Sequence, residues 1–398
     1  MMALYRIQCT LLSVVCLLTF VSCEPGPNSP SSFEGSVWPT HTAVDYFNRL
    51  HAFSIGPGGT YSLEEVERRT VELIVNAEIS IDAAFEHFES ARIADALVAA
   101  AARGIEVRIV GDVDRREQDG FRRVEAAGLM PTYGDGAILW QAVFGRDLVR
   151  REGKDNLMTH NFVIADRLRF VNMTGGFRLD GEDLLQAGFI AVSEDLAKDY
   201  ADCFDQLHGG IFSTAQTFFD NSVSADTNNR TSYATEDGVI EAHFGPQERV
   251  VKEIIDRIYN AKTSVQLATN EFKNREMARA LRYKSQAGFK VELVLGAPSE
   301  IPLPGVDNIR INENIDMTLV IIDGVVGPHP GSAMALSMPL FEAVAYYFED
   351  AAEQKPLPQP SDRFTDANMW VVDENVVNPN ADYYRLVDAF NRIYEQGE

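Results

Sequence analysis

Two stretches carry the residues best placed to do chemistry. Met158-Thr159-His160-Asn161-Phe162-Val163-Ile164-Ala165-Asp166 reads as a buried strand ending in an aspartate. A second short strand and the glycine turn Thr174-Gly175-Gly176-Phe177 follow it. The pattern returns as Asp316-Met317-Thr318-Leu319-Val320-Ile321-Ile322-Asp323-Gly324, with Gly331-Ser332 as the expected counterpart of the turn. Side chains two apart on a strand share a face, so Thr159 pairs with Asn161 and Asp316 with Thr318, while His160 points the other way. On these strands only the His160 imidazole could act as a nucleophile or as a general acid–base near neutral pH. Neither stretch contains a lysine or an arginine.

The elements around these strands occur twice. Ser62 to Ala77 has helical periodicity, Ile79 to Phe85 reads as a strand, and Ile93 to Ala102 reads as a helix stopped by Gly104. Glu106 to Gly111 is a further strand, closing on Asp112. Such a β-α-β rhythm predicts a parallel sheet covered by helices. An offset of 184 residues carries Asn76-Ala77 to Asn260-Ala261, Ala84 to Ala268, Phe88 to Phe272, Ala96-Leu97 to Ala280-Leu281, Gly104 to Gly288 and Val107 to Val291. This constancy implies an internal duplication with a period too long for a solenoid. The expected organisation is a first α/β domain over 52–220, a linker over 221–232 rich in Ser, Asn, Thr and Asp, and a second domain over 233–398. Residues 33–56 give little signal. Leu340 to Ala352 reads as an extra helix, Trp370-Val371-Val372 as core, and Tyr383 to Tyr394 as the last helix.

With its order of motifs, the chain resembles the phospholipase D superfamily over roughly residues 52–396. Phe53-Ser54-Ile55-Gly56-Pro57-Gly58-Gly59, Ala96-Leu97 through Arg103-Gly104-Ile105-Glu106-Val107-Arg108, Phe-Val-Ile-Ala-Asp166 and Leu-Val-Ile-Ile-Asp323 carry the likeness. The resemblance implies two tandem α-β-α domains about a pseudo-twofold axis. In that family each domain gives a His and a Lys, in the pattern His-x-Lys-x4-Asp followed by Gly-Ser, to one shared metal-independent site. There one His forms a phosphohistidine while the other protonates the leaving oxygen. Such phosphoryl transfer rests on nucleophile placement and charge stabilisation. Counting back from Asp166, the family His falls on Thr159 and the Lys on Asn161; counting back from Asp323, they fall on Asp316 and Thr318. A one-residue deletion would put His160 in the nucleophile position, with Phe162 in the Lys place. Gly-Ser persists as Gly331-Ser332 but becomes Gly175-Gly176 in the first copy, and the family's glutamate near the next strand appears as Gln186.

These residues give two readings. In the first the centre has decayed, and Thr159, Asn161, Gly175, Asp316, Thr318, Gly331 and Ser332, with His329 from its loop, line a site for a phosphodiester or lipid headgroup. In the second, an active phospholipase D or cardiolipin-synthase-like enzyme uses His160, with Asp166 and Asp323 completing the motifs. Neither reading calls for a cofactor or a metal. Glu86-His87 and Asn270-Glu271 lie at matched strand ends, the edge where open α/β sheets bind ligands. With Asp112 and Asp316, Glu86 and His87 could make an oxygen-rich metal site, but their spacing shows no tight ligand pattern and favours polar strand ends.

Charge and the N-terminus narrow the setting. A formal net charge of −24 over 398 residues, with no dense Lys/Arg run, disfavours binding along a nucleic-acid backbone and disfavours an endonuclease reading. Arg6 and the apolar run Leu11 to Ser22 read as a signal peptide over residues 1–22, too short to span a bilayer comfortably. Phe20-Val21-Ser22-Cys23 resembles a bacterial lipobox, which implies cleavage before a lipidated Cys23 and a membrane anchor. An ordinary secretory signal that contains a cysteine is the alternative. Residues 23–51 then form the tether and lead-in, rich in Pro, Gly and Ser at first. Glu24 after the cysteine favours the outer membrane under enteric-type sorting rules. Cys203 is the one remaining thiol of the mature chain, so the core is held without an internal disulfide.

Overall fold

A computed structural model describes residues 49–134, 158–178, 181, 183–208, 232–234, 239–245, 250–324, 331–337, 367–373 and 381–397. The first half runs β1 (Arg49–Ile55), α1 (Leu63–Val75), β2 (Ser80–Phe85), α2 (Ala91–Ala102), β3 (Glu106–Asp112), α3 (Asp119–Ala126), β4 (Thr132–Gly134), β5 (Asn161–Ala165), β6 (Arg169–Met173), β7 (Gln186–Val192) and α4 (Glu194–His208). The second half runs β8 (Ser232–Ala234), β9 (Val239–Gly245), α5 (Val250–Asn260), β10 (Ser264–Thr269), α6 (Arg275–Gln286), β11 (Lys290–Leu295), β12 (Asn308–Ile311), β13 (Thr318–Ile322), β14 (Ser332–Leu336), β15 (Ala367–Asp373) and α7 (Ala381–Gln396).

The local signals are those the sequence carries. Ser62 caps α1 by accepting from Glu65 N, Ser90 caps α2 from Ile93 N, and Asn274 caps α6 from Met277 N. Gly104 and Gly288, matched by the duplication, follow α2 and α6 with φ of 88° and 86°, a conformation that costs a residue with a Cβ far more.

Each half builds one sheet. The first is ordered β1-β7-β6-β5-β2-β3-β4, and the second, read from its other edge, β8-β9-β15-β14-β13-β10-β11-β12. The same order recurs with β8 added outside β9, so the protein is α/β with two tandem phospholipase D-like domains. The expectation of a parallel sheet holds only for the β-α-β part. β2 pairs parallel with β3 and antiparallel with β5, and β5, β6, β7 and β1 are antiparallel throughout. Tight connections such as the turn after β5 can only return a strand antiparallel. β1 begins at Arg49, inside the stretch read as a lead-in, and β8 begins at Ser232, the last residue of the expected linker. Periodicity missed β1 because Ala52, Phe53, Ser54 and Ile55 are all buried, which erases the polar–apolar alternation.

A single apolar cluster crosses both halves, and the two closing helices lie in it. The Tyr200 ring of α4 meets Phe162 and Phe170 of its own sheet at 5.2 and 5.0 Å and Phe244 of β9 at 4.9 Å. Reciprocally, Asp382 of α7 accepts a hydrogen bond from Ala52 N of β1 (2.8 Å), and Arg392 donates to Ser54 Oγ (2.7 Å). Each half thus packs its last helix on a strand of the other, α4 on β9 and α7 on β1. The strand ends that face each other are held in fixed relation by this shared core.

Candidate functional site

The two halves meet at the N-terminal ends of β5 and β13. Leu185 N donates to Asn314 O (2.7 Å) and Asp316 N to Leu185 O (3.0 Å), a backbone bridge between the halves. Across it Thr159 Oγ1 and Ser337 Oγ lie 3.2 Å apart, and Thr174 Oγ1 donates to Asp316 O at 3.4 Å. Asn161 and Thr318 pair with the last residues of β2 and β10, and their polar atoms are used there. Asn161 Oδ1 accepts from Glu86 N (3.0 Å) and His87 N (3.2 Å), and Thr318 Oγ1 lies 2.9 Å from Thr269 Oγ1. The side chains on this face therefore stitch the strand ends together and bring no cation to the centre.

The charges present are mostly negative. Burial, and after it the carboxylates of Asp316 and Asp112, pushes the Glu86 carboxyl well above the usual range, against the pull of Arg115 and Arg178. Asp112 is pushed up to about 6 by burial, although it accepts hydrogen bonds from Met158 N and Asp114 N. Arg178 Nη1 stands 3.7 Å from Asp316 Oδ2, and His87 Nε2 3.7 Å from Glu86 Oε1. On its other side Arg178 lines a cavity of about 310 Å³ with Arg92, Ser90 and Phe177. Among the described residues, no group of three or more His, Cys, Asp and Glu could hold a metal ion.

The glycine turn is required by this crowding. A Cβ on Gly175 would stand 2.3 Å from Asp316 Oδ2 and 2.6 Å from Gln186 Cδ. One on Gly176, whose φ is +80°, would stand 2.4 Å from Asn161 Oδ1.

Several expected site residues lie elsewhere. His160 is fully buried in the core, 5.5 Å edge-on to Phe162 and 3.9 Å from Cys203 Sγ, and desolvation lowers its pKa to about 3. The gapped register that would make it a nucleophile is not adopted, because Asn161 to Ala165 pair without a bulge against Phe85 to Ile81. Asp166 and Asp323 sit at the far ends of their strands. Asp166 accepts from Glu78 N, Ile79 N and Ser80 N and pairs with Arg169 (2.7 Å). Asp323 accepts in the same way from Lys262 N, Thr263 N and Ser264 N. Both carry positive φ, 56° and 57°, and both anchor the loop that enters the neighbouring strand.

Gly331 and Ser332 need a correction too. Ser332 pairs with Ile322 and Leu336 with Thr318, so the pair opens β14 at the end remote from the site. By that register Ser337 matches Thr174. His329 and Cys23 lie outside the described residues. Sequence reading did not single out Thr174, Arg178 or Ser337 for the site, since residues that converge from different strands leave no period to find.

The fold has counterparts among solved structures. Phosphatidylserine synthase from Haemophilus influenzae Rd KW20 superposes with a TM-score of 0.55, covering 87% of both chains at 10% identity. The chain shares the fold of that enzyme. Polyphosphate kinase from Porphyromonas gingivalis also superposes, with a TM-score of 0.53 over 87% of this chain at 14% identity. The chain spans 50% of that kinase. No protein-family model and no curated protein sequence matches.

Proposed function

We propose that this is an exported, lipid-anchored protein that binds a lipid headgroup or another phosphodiester between its halves, with a phospholipase D centre no longer equipped to cleave it. The observation that carries the reading is the set of side chains at the four His and Lys positions. Thr159, Asn161 and Thr318 are neutral and hydrogen-bonded to the protein, and Asp316 is an acid. Without a histidine there is no covalent intermediate, and without cations the equatorial charge of the transition state is unsupported. Burial of His160 argues against the enzyme reading. Arg178 is the cation nearest the centre among the described contacts, and it offers a phosphate a fork of N–H donors. Export and anchoring rest on the signal-like N-terminus and Cys23, and the outer membrane is the face favoured by Glu24.

The test uses the purified protein with water-soluble glycerophosphodiesters, following binding by calorimetry and headgroup release by chromatography. Saturable binding without release beyond a buffer blank is expected. Release above the blank that disappears in His160→Ala would overturn the reading.

A further inference from the structure

We propose that the outer face of α6, in the second half, is a docking surface for an anionic phospholipid bilayer. Arg275, Arg279 and Arg282 stand at i, i+4 and i+7 of this helix, so the three side chains share one face. Arg275 and Arg279 are exposed and Arg282 is half-buried. Among the described residues Arg279 and Arg282 make no ion pair, whereas Arg68, Arg92, Arg108, Arg122 and Arg123 of the first half all pair with carboxylates. The duplication gives an internal comparison. Ser90 and Asn274 cap α2 and α6 alike at the offset of 184 residues, so the two helices align residue by residue. Where α6 has Arg275, Arg279, Arg282 and Tyr283, α2 has Ala91, Asp95, Val98 and Ala99. The fold does not ask for cations here. Arg275 even stands in the first turn, where the helix dipole disfavours positive charge.

The flanks of the stripe suit the interfacial layer of a membrane. On one side Tyr283 and, from α5, Tyr259 have ring centres 6.0 Å apart and are 59% and 41% exposed. On the other, Ser285 Oγ donates to Gly305 O and sets the loop of Pro302 and Pro304, both exposed, beside the helix. Tyrosine is amphipathic and settles at the headgroup level, while the arginine fork matches phosphate oxygens. Glu276 is the one carboxylate of α6, and 3.6 residues per turn place it on the Tyr283 side of the stripe. The formal net charge of −24 opposes approach to an anionic surface at long range. At physiological ionic strength the Debye length is about 8 Å, so remote carboxylates are screened and the local stripe decides contact. Each basic residue held at such a surface contributes about fivefold in binding. The proposal takes from the reading above only that a membrane lies within reach.

Vesicle flotation at physiological salt decides it, using the full chain with Cys23→Ala so that no acyl anchor contributes. Vesicles of phosphatidylcholine alone are compared with equimolar phosphatidylcholine and phosphatidylglycerol. Binding to the anionic vesicles is expected to be at least about tenfold the tighter. Arg279→Asp, which copies Asp95 of the first half, and Arg282→Gln should each weaken it about fivefold or more, and the double variant should lose the preference. Both side chains reach the surface, and circular dichroism confirms that the variants fold. Equal binding to the two vesicle types, or anionic binding indifferent to both substitutions, overturns the docking surface. Heparin binding that the substitutions weaken, with no preference for anionic vesicles, overturns the membrane as its occupant. Glycerophosphodiester binding between the halves is read by its own calorimetry, so either reading can fail while the other stands.

Discussion

Thr159 and Ser337, 178 residues apart in the chain, place their hydroxyl oxygens 3.2 Å from each other at the junction of the two halves. Counting back from Asp166, Thr159 is the residue that the resemblance would put in place of the first histidine. Here that position serves cohesion between the sheets. A double-mutant cycle with Thr159→Ala and Ser337→Ala should give a coupling energy of about 1 kcal/mol in urea unfolding, as for a buried neutral hydrogen bond. Additive effects would show that the contact contributes nothing across the junction.

Asp166 and Asp323 should matter for stability and not for ligand binding. Each carboxylate accepts from three consecutive backbone N–H groups, so Asp166→Ala or Asp323→Ala strands several donors and should cost on the order of 2 kcal/mol. Hydrogen bonds from Ile79, Ser80 and Glu78 N and from Arg169, outweighing burial, hold Asp166 below the usual carboxylate range. A lowered folded pKa contributes stability that is present above the unfolded value near 3.8 and lost as pH falls through the folded one. The wild type should therefore lose stability below about pH 4 more steeply than Asp166→Ala. Equal acid sensitivity in chemical denaturation would contradict this.

Asp112 has the opposite sign. Its carboxyl keeps its proton up to about pH 6 when folded, against 3.8 otherwise. The folded state then binds more protons between those values, and stability falls as pH rises through that window, by at most about 1.4 kcal/mol per pH unit. Asp112→Asn keeps an acceptor oxygen for only one of Met158 N and Asp114 N and so lowers stability overall, but it cannot ionise, so its stability profile from pH 4 to about 6 should be flatter than wild type. Superimposable profiles would show that Asp112 is not the titrating group.

Much of this architecture was legible in the sequence. The offset linking Asn76 to Asn260 and Gly104 to Gly288 marked the duplication, because capping glycines and core positions are constrained one residue at a time. The sequence left two registers open for β5, one with Asn161 and one with His160 on the site face, and the unbroken pairing of Asn161 with Phe85 is that of the ungapped count. The second glycine turn was misplaced for a physical reason. β5 and β6 are joined by a tight turn in which Asp166 and Arg167 both have positive φ, whereas β13 and β14 have a longer connection. Gly331-Ser332 mimics the motif by composition, yet strand register assigns the role to Ser337. The grouping of Glu86 with Asp112 and Asp316 was read from matched strand ends, but the approach of Gln186 to Asp316 beside Gly175 was not, because it joins strands of different halves.

The central claim is that this centre forms no phosphohistidine. The purified protein would be incubated with phosphatidyl lipids and soluble phosphodiesters, quenched, digested and searched by mass spectrometry for phosphorus-bearing adducts on histidine peptides. The account predicts none on any histidine peptide, with headgroup release no faster than in buffer. A stoichiometric adduct on the peptide containing His160, or on any other histidine, would contradict it and restore the enzyme.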